Sequence, residues 1–304
     1  MQRLNNAFRF IGLNFRLALK HEAIQKPWMF LSLGGILLTL FWWIPLGVLI
    51  MGLGPWPFAW VLVGLILFLY LMSLQIWGEI TALQTAQIFA NLVHEDADYR
   101  AAHPVKGIFQ SPWPAVLAYV LSVPGLTLRM AFREILSGSS PTDQAWMKVH
   151  PLIPPILALE GSGLQAALKR VKQIVQDNLL RFQPGYLPVG WVARGIAWIS
   201  TLVGAVAGVL IAGWLADPIL SSSWRAFLAV SVGMSVLGIF SMVGIAFSTY
   251  FRTCYHTALY AWVLAVEGAQ RVSREGLASP PEILSRAMTK KPKQRKEGSD
   301  ATKT

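Results

Sequence analysis

Charge-free apolar runs divide this chain into blocks. Trp28 to Leu53 runs 26 residues without a charge, and Phe58 to Trp77 runs 20 before it stops at Glu79. Gly195 to Ala216 adds 22 between Arg194 and Asp217, and Ala226 to Phe251 adds 26 between Arg225 and Arg252. About 20 residues of helix cross a hydrocarbon core, so four such runs predict four transmembrane helices rather than buried helices of a soluble protein. Gly54-Pro55-Trp56-Pro57 and the stretch from Asp217-Pro218 to Ser223 are short turns that cannot continue a helix. The pattern is two tight hairpins.

The polar positions between these runs follow helical spacing. Leu4, Ala7, Phe8, Ile11, Phe15, Ala18 and Leu19 form one face of an N-terminal helix, with Arg3, Asn5, Asn6, Arg9, Asn14, Arg16 and Lys20 opposite. Basic residues interrupt any signal-peptide core, and no small-residue cleavage site follows. The segment reads as an amphipathic helix in the membrane interface, ended by Lys26-Pro27; a helix packed on protein is the other arrangement of the same face. Ile80, Leu83, Ala86, Phe89, Ala90 and Val93 carry the second span onward as a long helix. Trp113–Leu128 and Trp146–Leu159 are apolar but cut by Pro114, Pro124, Gly125, Pro151, Pro154 and Pro155. Such segments are re-entrant half-spans or surface helices pressed on the bilayer. Leu164, Leu168, Val171, Val175 and Leu179 make a stripe on a basic amphipathic helix with Lys169, Arg170 and Lys172. Phe251, Tyr255, Ala258, Leu259, Trp262, Val263 and Val266 extend the fourth run as another amphipathic stretch.

The resulting fold class is all-α: a polytopic helical membrane bundle with four spans, two broken or re-entrant apolar segments and interfacial amphipathic helices. Its parts are an interfacial helix over 1–27, a first hairpin over 28–77 and a cytoplasmic or interfacial middle segment over 78–194. A second hairpin over 195–251, an amphipathic helix over 252–278 and a basic disordered tail over 279–304 complete it.

Composition fixes the solvent. Of 304 residues 54% are hydrophobic and 13% charged, against about 25% charged in ordinary soluble domains. That excludes a disordered protein and most soluble enzymes, and a single cysteine, Cys254, excludes a disulfide scaffold. The 26 Lys and Arg against 15 Asp and Glu leave a net charge of +11. Their positions matter more than their sum. Residues 1–27 hold five Lys/Arg, 78–193 hold nine and 252–304 hold ten, while both hairpin turns hold none. Positive residues stay cytoplasmic, so both termini and the middle segment belong inside, in a multi-pass protein of the cytoplasmic (inner) membrane. The basicity then fits anionic headgroups rather than nucleic acid. Lys169, Arg170, Lys172, Lys290 and Lys291 are the residues expected to meet them, the last two within a run that includes Lys293, Arg295 and Lys296.

No phosphate-cradling Gly loop, G-x-S-x-G elbow or H-E-x-x-H pair occurs. His94 and Asp98 at i, i+4 spacing offer a divalent cation two ligands, fewer than a site requires; no resident metal or cofactor is expected. Glu79, Glu160 and Glu267 stand at the ends of apolar runs, the last two within Leu-Ala-Leu-Glu-Gly and Leu-Ala-Val-Glu-Gly. Carboxylates near bilayer depth call for partners or water, and Arg129, Arg133, His150 and His256 are candidates to supply them. Convergence would make a polar cytoplasmic vestibule; otherwise each carboxylate sits solvated at headgroup level. Gly204, Gly208 and Ala212 line one face of the third run, with Ser231, Ser235 and Gly238 comparable on the fourth. Small residues let helices approach closely in lipid, sealing the chain's own bundle or a homo-oligomer.

Three stretches carry a family resemblance: Pro154-Pro155-Ile156-Leu157-Ala158-Leu159-Glu160-Gly161 with Ala166-Ala167-Leu168-Lys169-Arg170, Thr257-Ala258-Leu259-Tyr260 with Glu267-Gly268, and the opening Phe8, Phe15, Arg16 and Trp28. The chain resembles an uncharacterised prokaryotic family of integral membrane proteins with about six spans. That resemblance implies that Trp113–Leu136 and Trp146–Glu160 enter the membrane, although the prolines here depart from the pattern; it implies no activity. The expected function is therefore non-enzymatic: a scaffold, assembly or accessory subunit with a protein partner or a second copy. A permeation protein for a small solute or ion, using Glu79, Glu160 and Glu267, is the alternative, and a lipid-modifying enzyme comes third.

Overall fold

The computed structural model describes residues 2–20, 22–52, 57–95, 119–120, 150–161, 163–177, 187–215, 222–271 and 280–288. Among the described residues the chain is all helical, with no strand. The helices are α1 (Gln2–Lys20), α2 (Glu22–Gly52), α3 (Pro57–Glu95), α4 (Ile153–Glu160), α5 (Leu164–Asp177), α6 (Val189–Leu215), α7 (Ser222–Arg271) and α8 (Glu282–Met288). A 3-10 turn over His150–Leu152 leads into α4.

Length alone separates two of these from the rest. At 1.5 Å per residue, the 50 residues of α7 reach about 75 Å and the 39 of α3 reach about 58 Å. Both far exceed a hydrocarbon core of about 30 Å. Three helices hold stretches long and apolar enough to cross a membrane: Trp60–Leu92, Val189–Trp214 and Ser231–Glu267. A fourth arises when α1 and α2, bent by 94° at their junction, are taken together.

Burial divides the molecule along its length. At one end α2, α3, α6 and α7 turn large apolar side chains outward: Leu37 and Phe41, Trp60 and Leu71, Leu202 and Val209, Phe240 and Ile245. At the other end the same α3 and α7 are mostly buried, from Glu79 to Ala90 (Gln84 alone exposed) and from Tyr250 to Tyr260. Two apolar clusters wrap that end. One joins Phe10 of α1, Phe89, Val192 of α6, Tyr255 and Leu284 of α8. The other joins Leu83, Ile153, Ile156 and Leu157 of α4, Val171 of α5 and Tyr260. α3 and α7 are common to both, with α7 the longer pillar.

The outward-facing end is held by small residues. A Cβ at Gly208 of α6 would lie 2.4 Å from the Gly233 carbonyl of α7, and one at Gly204 would lie 2.5 Å from Phe240. Ala212 lies on the same contact, near Gly233. Backbone therefore meets backbone, which maximises dispersion contact between the two helices. Ser200 Oγ donates to the Phe240 carbonyl at 2.7 Å across this contact. Gly238 faces a different neighbour, Thr39 of α2. Between α2 and α3, Phe30 stacks on Trp77 with ring centres 4.3 Å apart, and Thr39 and Tyr70 share a 3.0 Å hydroxyl contact.

Several elements differ from the sequence expectation. α1 ends at Lys20 and α2 begins at Glu22, ahead of Lys26-Pro27; Pro27 sits in the second turn of α2, and Gln25 Nε2 donates to the Ala18 carbonyl at 2.9 Å between the two helices. Residues 252–271, read as an amphipathic stretch extending the fourth run, continue α7 in one helix, and 253–261 are buried throughout rather than on one face. In the tail, expected to be disordered from residue 279, Pro281 opens α8 and its carbonyl accepts from Leu284 and Ser285 at 2.9 Å. Leu284 and Ala287 are fully buried, and Arg9 donates to the Arg286 carbonyl at 3.1 Å. Within the broken segment Trp146–Leu159, expected as a half-span or a surface helix, α4 is eight residues long, and Ile153 through Leu159 are buried in protein against α3 and α7. Residues 113–118, 121–149 and 289–304 lie outside the described residues, and with them Arg129, Arg133, Lys290 and Lys291.

Candidate functional site

The polar chemistry gathers at the packed end in two places. The first begins at the C-terminus of α4. Glu160 closes that helix, and Gly161 takes a left-handed conformation (φ 59°, ψ 26°) whose N–H donates to Leu157 O at 3.1 Å. An L side chain is strained at that φ, which explains the glycine. The chain then reverses into α5, whose Ala167, Val171 and Ile174 sit in the core while Lys169 and Lys172 face outward.

Arg170 lies at the margin of that buried stripe and turns back inward. Its Nε donates to Glu160 Oε1 at 3.2 Å and to the Tyr260 hydroxyl at 3.4 Å. Its Nη2 donates to Glu267 Oε2, and Tyr260 in turn donates to Glu160. Three helices, α4, α5 and α7, thus meet on one guanidinium. The side chains of Glu160, Arg170 and Glu267 keep 28, 21 and 20% of their surface exposed, while Tyr260 is fully buried. Burial lowers the Arg170 pKa, but the bonds from Glu267 and Tyr260 outweigh it and leave the guanidinium above its ordinary value. Two carboxylates against one cation leave one formal negative charge at a half-open rim.

The second place is deeper. Glu79 of α3 is buried and accepts from the Tyr119 hydroxyl at 2.5 Å. Arg252 of α7 lies within electrostatic reach of Glu79, Tyr119 and Arg194. His256 is one turn further along α7; its Nδ1 donates to the Arg252 carbonyl at 2.7 Å. Because a carbonyl only accepts, the proton sits on Nδ1.

Of the expected vestibule residues, then, Glu160 and Glu267 come together, and Glu79 joins a separate group. The side chain of His150 lies outside the described residues. Arg170, expected with Lys169 and Lys172 at the headgroups, is instead the counter-ion of the carboxylates. Tyr119 and Arg252 were not named as site residues from the sequence, and Tyr260 entered only through the Thr257-Ala258-Leu259-Tyr260 segment. The repeated Leu-Ala-Leu/Val-Glu-Gly pattern was the available signal: both of its glutamates end on Arg170.

No protein-family model, no curated protein and no solved structure matches the chain.

Proposed function

We propose that the chain is an integral protein of the cytoplasmic membrane that acts as a non-enzymatic scaffold, assembly or accessory subunit. In this reading α2, α3, α6 and α7 cross the bilayer, and α1, α4, α5, α8 and the long ends of α3 and α7 form a cytoplasmic lobe. One observation carries it: apolar side chains face outward over one end of the bundle and inward over the other. Outward Leu, Val, Phe and Trp on four helices would be untenable in water and are ordinary against lipid. Trp191 and Trp214, near opposite ends of α6, stand 76 and 79% exposed. They are separated by about 35 Å at helical rise, a spacing that suits two interfacial belts. The Lys/Arg-free hairpin turns support placement of both termini in the cytoplasm. The resemblance to multispan membrane proteins agrees and adds no activity.

The polar groups favour a structural role over solute handling. Glu160, Glu267 and Glu79 are each engaged by an arginine or a tyrosine, and the groups tie helices together. The test is purification from native membranes in mild detergent after cross-linking. A partner or second copy at fixed stoichiometry is expected, and a chain that stays alone in every preparation overturns the proposal.

Permeation has one observation in its favour, the excess negative charge and partial exposure of the Glu160–Glu267 pair. Ion or solute flux through proteoliposomes discriminates. Flux that changes in Glu160→Gln, with unchanged detergent stability, favours permeation; absence of flux sinks it.

A further inference from the structure

The outward face of α1 has no role in the reading above. The helix divides into two apolar faces rather than one. Ala7, Phe10, Ile11 and Asn14 are buried on the protein, against α6, α7 and α8. Leu4, Phe8, Phe15 and Leu19 are 45 to 64% exposed, and with the exposed Gly12 they recur every three or four residues as a second stripe. Arg9, Arg16 and Lys20 fall along one margin of that stripe by helical spacing, and Arg16 and Lys20 are exposed. From Gln2 to Lys20 the helix carries no acidic residue. Its 94° turn from α2 sets it across the end of the bundle, the orientation of a helix lying flat on a surface that α2 enters.

From this we infer that the exposed face of α1 is a binding surface for anionic lipid. Leu4, Phe8, Phe15 and Leu19 enter the boundary of the acyl chains, and Arg16 and Lys20 hold headgroup phosphates. Charge selects the occupant. A protein groove would pair the cationic margin with acidic side chains at a few points, whereas an anionic leaflet presents a continuous negative plane to an acid-free helix. The docked α8 strengthens the match. It rests on the protein side of α1 and ends at Met288, two residues before the run Lys290, Lys291, Lys293, Arg295 and Lys296.

The inference rests on the membrane reading, so its test carries a label for each. The full chain with Gly12→Cys is labelled with an environment-sensitive fluorophore; a side chain at Gly12 meets open space, and the native Cys254 is buried. The protein is reconstituted in phosphatidylcholine vesicles with and without phosphatidylglycerol, and quenching by brominated lipid and by aqueous iodide is measured. A second variant, Val206→Cys on the exposed face of α6, reports the bilayer itself. The Gly12 label is expected to be quenched by shallow bromines and shielded from iodide, more strongly with phosphatidylglycerol. Arg16→Gln with Lys20→Gln should weaken that lipid dependence by about fivefold per cation removed. Phe8→Ser with Phe15→Ser should return the label to water without changing detergent stability. A Gly12 label open to iodide in both lipids, beside a quenched Val206 label, overturns this inference and leaves the membrane reading standing. If the Val206 label is also open to iodide, the membrane reading falls with it. Shallow quenching indifferent to phosphatidylglycerol overturns the selectivity for anionic lipid.

Discussion

A guanidinium fork can serve several oxygens in one plane, and Arg170 uses it to join α4, α5 and α7. Arg170→Met leaves Glu160 and Glu267 facing each other without a cation. We expect a loss of about 1–3 kcal/mol, below the range for a fully buried broken pair because all three groups keep some water. Arg170→Lys should recover only part of it, since a single ammonium cannot reproduce the fork. Unfolding in mixed detergent measures both. The raised Arg170 pKa also sets a sign: the contribution is complete below the ordinary arginine value and is lost only as pH rises through the higher folded value. The stability difference between wild type and Arg170→Met should therefore persist up to about pH 11. At Gly208 even a methyl group meets the Gly233 carbonyl. Gly208→Val should cost about 1–3 kcal/mol by forcing α6 from α7, read in the same assay. This contact was legible in the sequence, because small residues every fourth position mark a face. The Arg170 cluster was legible only in part: the repeated Glu-Gly pattern marked Glu160 and Glu267, but the partners lie 10, 90 and 97 positions away and no local spacing brings Arg170 to them.

At the scale of elements, apolar run length reveals a helix well and its neighbours poorly. The four charge-free runs became α2, α3, α6 and α7, and the amphipathic spacing of 164–177 became α5. What periodicity leaves open is which half of a wide apolar face meets protein. On α1 the apolar spacing included Phe8 and passed over Phe10, although Phe10 is buried and Phe8 exposed. Nor could spacing show that α7 beyond Arg252 is buried on every side from 253 to 261: an amphipathic pattern suggests one covered face, and only packing from several sides reveals a pillar. α8 went unread because it is seven residues long, between Pro280-Pro281 and a lysine run. Its signals were proline before the first turn, Glu282 within it, and apolar Ile283, Leu284 and Ala287 on one face. Since Leu284 is fully buried, Leu284→Ala should cost about 2–4 kcal/mol of α8 docking. Hydrogen exchange checks it: amides of 284–288 should exchange faster, while those of α6 stay protected.

For the whole molecule, the division of burial makes one chain stable in two solvents. In the proposed orientation the outward-facing helices gain little from apolar burial and rely on close packing at Gly204, Gly208 and Gly233. The packed lobe relies on ordinary hydrophobic burial around Phe10, Ile156 and Tyr255. The proposed orientation has a direct readout. Green fluorescent protein fused after residue 304 should fluoresce, and alkaline phosphatase there should stay inactive; the reverse pair would invert the topology. Charge asymmetry made that orientation legible from sequence, whereas the lobe's assembly was not, because its contacts join segments far apart in the chain.

The uninterrupted length of α7 has a mechanical consequence. Gly233 sits at the close crossing with α6, and Glu267 lies about 50 Å further along the same rod at helical rise. A rod pivoting at a tight crossing is a lever. A tilt of about 5° at Gly233 sweeps the far end through about 4 Å, more than the length of a hydrogen bond. Small changes of tilt inside the bundle are thereby magnified where Glu267 meets Arg170.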